Sequence, residues 1–156
     1  MDQRKLTLWI LWGSMLMSLV VYGVMPILLT EPLEGFGAET ATTLAPILVM
    51  LGLGLAVASF VLRKLLLDRP LAAGTLDPDT PEGAQRIQTG FIVAWVLSEA
   101  VGIFGLVLWF LGRDTSLLYG FLAAGAVLLA LHAPLASRQT KPPTLQDLAS
   151  GRGTIG

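Results

Sequence analysis

The sequence predicts an all-α membrane protein with four transmembrane helices forming two antiparallel hairpins. Three observations carry that reading. The 156 residues are 54% hydrophobic but only 13% charged, about half the ~25% charged share of a soluble domain, and mean hydropathy is +0.72. Four long apolar runs fill most of the chain, each near the ~20 residues that cross a bilayer as a helix. The cationic side chains segregate to one side of these runs, as the positive-inside rule requires.

The first run, residues 6–29, follows Arg4 and Lys5 and carries no charge before Glu31. Its apolar core is too long for a signal peptide and no small-residue cleavage site follows, so an uncleaved helix is expected. Pro26 is expected to kink or stop it. An acidic, glycine-containing loop with Glu31, Glu34 and Glu39 leads to the second run, residues 41–67, which ends on Arg63 and Lys64. Gly52, Gly54, Ala56 and Ala58 make this helix thin and suited to close helix packing. Pro70, Gly74, Pro78, Pro81 and Gly83 then break the chain into its longest loop. Thr80 or Asp79 is the expected cap of the third helix, residues 84–111, with Pro81 in its first turn. After a tight turn, Asp114 or Thr115 caps the fourth, residues 115–135, where Gly120 and Gly125 are expected at helix contacts together with Gly105 of the third. Residues 137–156 read as a polar tail with a short helix at 144–149. Thr7, Ile10, Tyr22 and Gly23 recur 82 positions later as Thr89, Ile92, Phe104 and Gly105, an echo consistent with two related hairpins.

Nine of the ten Lys and Arg residues fall on one side and only Arg113 on the other. Both termini and the central loop are therefore expected in the cytoplasm, with the protein in a bacterial inner (plasma) membrane. The formal net charge of −1 argues against a nucleic-acid partner. The absence of cysteine rules out disulfides and thiolate metal sites, and a single histidine rules out a His-rich one. No phosphate loop or nucleophile–base pair is present, so enzyme chemistry has no candidate site and no cofactor or metal is expected. Arg63, Lys64 and Arg69 are placed to meet anionic headgroups. Trp9, Trp12 and Trp109 read as interfacial belt residues and His132 as interfacial, whereas Trp95 is too deep and reads as packing.

Glu99 stands apart. It is the only ionisable residue between Gln88 and Leu111, about twelve residues, or ~18 Å, from either end. A carboxylate cannot snorkel that far, and an acid at the bilayer centre costs roughly 3 kcal/mol on insertion scales. Low dielectric favours the neutral acid, while the anion needs a donor, a cation or water. Glu99 is therefore the candidate proton-binding residue. Gly102, one turn on, would let a neighbouring helix come close and offer an acceptor. Ser98, the only hydroxyl beside Glu99 in the sequence, points about 100° away.

Residues 81–89, followed by Ser98-Glu99-Ala100-Val101-Gly102-Ile103-Phe104-Gly105-Leu106-Val107, resemble the outer helix of the rotary ATP synthase c subunits, the membrane proteolipids. In that family an acid-Ala pair precedes an Ile-Tyr-Gly-Leu-Val run. The ladder from Gly52 to Ala58 is similar to the family's glycine-rich inner helix, and the likeness covers roughly residues 44–111. The resemblance implies a c-like hairpin that oligomerises, as a ring or with other membrane subunits, and carries protons across the bilayer at Glu99. Sodium-type members have hydroxyl residues after the acid and a Tyr at the site. Ala100 and Phe104 stand there in this chain, which favours protons over sodium. A structural or accessory subunit of a larger membrane complex is the alternative reading.

Overall fold

The computed structural model describes residues 3–29 and 37–134. The acidic loop between residues 30 and 36, the tail and the helix expected at 144–149 lie outside the described residues. The elements are α1 (Gln3–Leu28), α2 (Ala38–Arg63), a π-helical turn (Lys64–Asp68), α3 (Arg69–Ala72), α4 (Pro81–Gly112) and α5 (Thr115–Leu131). All regular structure among the described residues is helical. Three segments, Leu6–Leu28, Glu39–Ala72 and Pro81–Gly112, are long and apolar enough to cross a membrane.

Helix ends follow local chemistry. Thr80 caps α4 by accepting a hydrogen bond from the Gly83 amide at 3.1 Å, with Pro81 at the first helical position, where its missing N–H costs nothing. Asp114 caps α5 by accepting from Ser116 and Leu117. Between them Arg113 turns the chain in the left-handed region at φ 58°, its guanidinium 4.4 Å from the centre of the Trp109 ring, within cation–π range. The helix expected to run to residue 135 ends at Leu131. Pro134 disfavours helical backbone at Ala133 and has no N–H to continue the ladder. With 17 residues, α5 is about 25 Å long, short of the ~30 Å hydrocarbon core.

The central helix is α4. Both α2 and α5 pack along it, and α1 lies against α4 and α5. Each outer helix turns a stripe of period three to four inward. The stripe of α1 runs through Leu8, Leu11, Trp12, Met15, Leu19 and Tyr22, and that of α2 through Leu44, Leu48, Leu55 and Ala56. The opposite faces expose large apolar side chains such as Ile10, Met17, Met50 and Leu53, as lipid-facing surfaces do.

Small residues set how closely the helices approach. A Cβ on Gly125 would lie 3.0 Å from the Ser98 carbonyl oxygen, and one on Gly105 would lie 2.6 Å from Phe121 Cβ. The α4–α5 contact is therefore nearly backbone to backbone. Gly52 faces Phe121 and Phe104. The ladder on α2 does not act as one surface. Spacing of two residues turns 200° around a helix, so Gly52 and Ala56 face inward while Gly54 and Ala58 fall on the other side. Among the described residues, a Cβ at Gly54 or at Gly120 would meet nothing within 4 Å, so neither takes part in a helix contact within the chain. Gly125→Leu should accordingly destabilise the protein by about 1–3 kcal/mol through overpacking, and Gly54→Leu should not. Thermal unfolding of the two variants in detergent checks the contrast.

Candidate carboxyl site between α1 and α4

Glu99 lies about 4 Å along the axis from the midpoint of the 32-residue α4. It is half-buried, on the side of α4 that faces α1. The companion helix is thus α1 of the same chain, and it meets Glu99 with two side-chain hydroxyls. Ser18 Oγ is hydrogen-bonded to Glu99 Oε1, and Tyr22 Oη lies 3.3 Å from the same oxygen. Ser18 and Tyr22 are four residues apart and so share a face of α1. Gly102, one turn from Glu99, makes this approach feasible: a Cβ there would lie 2.5 Å from Leu19 Cδ2. Leu19, the residue after Ser18, seats in that notch and is buried.

The arrangement can be satisfied in both protonation states. A serine hydroxyl has one proton to give and lone pairs to accept with. Ser18 Oγ is also 2.7 Å from the Met15 carbonyl oxygen. When Glu99 is ionised, Ser18 and Tyr22 both donate to it. When Glu99 is protonated, it donates to Ser18 Oγ, and Ser18 gives its own proton to Met15 O. Both hydroxyls meet the same carboxyl oxygen, Oε1, which keeps a hydrogen-bond partner in either state.

Neither Ser98 nor Phe104 bonds to the Glu99 carboxyl. Ser98 is buried toward α5 and donates to the Ala94 carbonyl at 2.8 Å, because one residue along a helix is a turn of 100°. Phe104 packs with the α2 side of the core, five residues and 140° from Glu99. Sequence reasoning places neither Ser18 nor Tyr22 at the site. The available signal was the i, i+4 line of Ser14, Ser18 and Tyr22, set in an otherwise apolar stretch of the first helix.

A second polar cluster closes the far end of α5, where helix carbonyls lack intrahelical partners. Three helices donate to them. Trp12 Nε1 of α1 reaches Leu129 O at 2.9 Å. Arg63 Nη1 of α2 reaches Leu131 O at 2.9 Å, a cation at the negative end of the helix dipole. Trp95 Nε1 of α4 reaches His132 O at 2.9 Å. The His132 side chain is fully buried within the chain. It packs on Phe60 with ring centres 4.8 Å apart, and its Nδ1 is 2.6 Å from Leu128 O, so Nδ1 carries the proton. Among the described residues Nε2 has no hydrogen-bond partner. Trp12 and Trp109, expected in an interfacial belt, also turn inward: Trp12 donates to α5, and Trp109 is buried in the core.

Comparisons with family models, curated proteins and solved structures find no match to this chain. Any functional reading therefore rests on the residues and on the geometry of the Glu99 site.

Proposed function

We propose that this integral membrane protein binds a proton reversibly at Glu99 and takes part in moving protons across the bilayer, resembling a c subunit in its acid-bearing helix. The observation that supports this most is that Ser18 can both donate to and accept from the Glu99 carboxyl while Met15 O waits as the alternative acceptor. A proton can arrive or leave with a rotation of one hydroxyl. In this reading the α2–α4 pair, with Gly52 facing Phe104, would serve as the c-like hairpin, and α1 would supply hydroxyls of the kind that a sister subunit would otherwise bring. The exposed apolar faces around Gly54 and Gly120 are where other copies or other membrane subunits would pack.

Protons are preferred to sodium. One carboxyl, two hydroxyls and one carbonyl fall short of the six or more oxygens that hard cations commonly take. A hydrophobic carbodiimide, which reacts with protonated carboxyls inside membranes, tests the reading. Labelling should fall on Glu99 and decline as pH rises, and sodium should give no protection. Protection by sodium at constant pH would contradict proton binding.

A second reading is favoured by the same contact. The Ser18–Glu99 and Tyr22–Glu99 bonds pin α1 to α4, as the glue of an accessory subunit would. Membrane hydrogen bonds of this kind average only about 0.6 kcal/mol, a small return for an acid that costs roughly 3 kcal/mol to insert. That imbalance favours proton handling.

A further inference from the structure

A cleft of about 680 Å³ opens where the π-helical turn and the loop after it lie against the first turns of α4. This is within the range of small-ligand sites. The π-helical turn shapes it. Leu67 packs on Gly90, where a Cβ would come within 2.7 Å of it, and the neighbouring Leu65 and Leu66 are left exposed on the cleft wall. With Leu76 they make one side apolar. The α4 side is polar and carries Glu82, Gln85 and Arg86.

Glu82 and Arg86 are four residues apart, one helical turn, and both are exposed. Such a pair commonly closes on itself. Here, among the described residues, neither side chain has an ion-pair or hydrogen-bond partner. An anion-binding and a cation-binding group thus stand side by side above an apolar wall. Their depth is informative. Arg86 is about 16 Å from the midpoint of α4, and half of the hydrocarbon core is about 15 Å. With the midpoint of α4 at the bilayer centre, the cleft would sit at headgroup level and Leu65 and Leu66 at the start of the acyl chains.

We propose that this cleft binds an aminophospholipid with a primary ammonium. The phosphate would lie on Arg86, whose planar fork suits phosphate oxygens; the ammonium on Glu82; and the upper acyl chain on Leu65 and Leu66. A purely anionic headgroup would meet Arg86 but be repelled by Glu82. A quaternary ammonium has no N–H to donate to Glu82. The assignment does not depend on the chemistry of Glu99.

The test uses the full chain in nanodiscs of phosphatidylcholine containing equal minor amounts of phosphatidylethanolamine and phosphatidylglycerol. Lipids that stay bound on release are counted by native mass spectrometry. Phosphatidylethanolamine should be retained about threefold over phosphatidylglycerol, the ratio that one exposed ion pair supports. Glu82→Gln should abolish the preference while leaving phosphatidylglycerol retention unchanged or raised. Arg86→Gln should lower retention of both. Helical content by circular dichroism should be the same in all three proteins, since both side chains are exposed. Equal retention of the two lipids by the unaltered protein, or an undiminished preference in Glu82→Gln, would overturn the proposal.

Discussion

Glu99→Gln is expected to abolish proton uptake in proteoliposomes while leaving the protein folded. The amide has the shape of the protonated carboxyl and can donate to Ser18 as the acid does, with Ser18 giving its proton to Met15 O. The helix contact survives, and the change in stability should stay within about 1 kcal/mol. What is lost is the second state, because an amide does not release a proton near neutral pH. The measurement is dye-reported acidification of vesicles under an imposed potential, with purified protein alone and in vesicles of its native membrane. If flux in Glu99→Gln equals that of the unaltered protein in both settings, Glu99 is helix glue and the accessory-subunit reading stands.

The largest loss of stability should come from Trp95. Its ring is fully buried on α4, its centre 5.6 Å from that of Phe91, and its N–H caps the end of α5 through His132 O. Trp95→Ala removes the ring and the donor together and should cost about 3–5 kcal/mol. Trp95→Phe keeps most of the packing and should cost about 1–3 kcal/mol, the penalty of leaving one buried carbonyl without a donor. Arg63→Leu removes a more exposed donor from the same helix end and should cost less than either. Denaturant unfolding in mixed micelles, followed by helical circular dichroism, orders the three. A Trp95→Phe variant as weak as Trp95→Ala would show that the hydrogen bond outweighs the packing.

The sequence disclosed most where one chemical signal dominates. Apolar length marked the helices, and Thr80, Pro81 and Asp114 marked two of their starts, because capping depends on the residue and its near neighbours. The isolation of Glu99 marked the site, because an acid in oil conflicts with everything around it. The parts that stayed hidden depend on which helix meets which. Ser18 and Tyr22 belong to the site only because α1 crosses α4 at Gly102. Gly54 and Gly120 read as packing residues, but only the helix phase shows that they face away from this chain's own core. The burial of His132 has no signal in its place near a helix end, because it is Phe60 of α2 that closes over it. The π-helical turn that shifts Leu67 onto Gly90 has no local signature in the residues from Lys64 to Asp68.

The proposed proton handling depends most on a carboxyl at Glu99 that gains and loses a proton against Ser18. Infrared difference spectra recorded between acidic and alkaline pH, on oriented protein in lipid, address this directly. A protonated-carboxyl carbonyl band should appear on acidification, vanish in Glu99→Gln and shift in frequency in Ser18→Ala, where the acid loses its acceptor. A spectrum in which no titrating carboxyl band depends on Glu99, or in which that band is indifferent to Ser18, would contradict it.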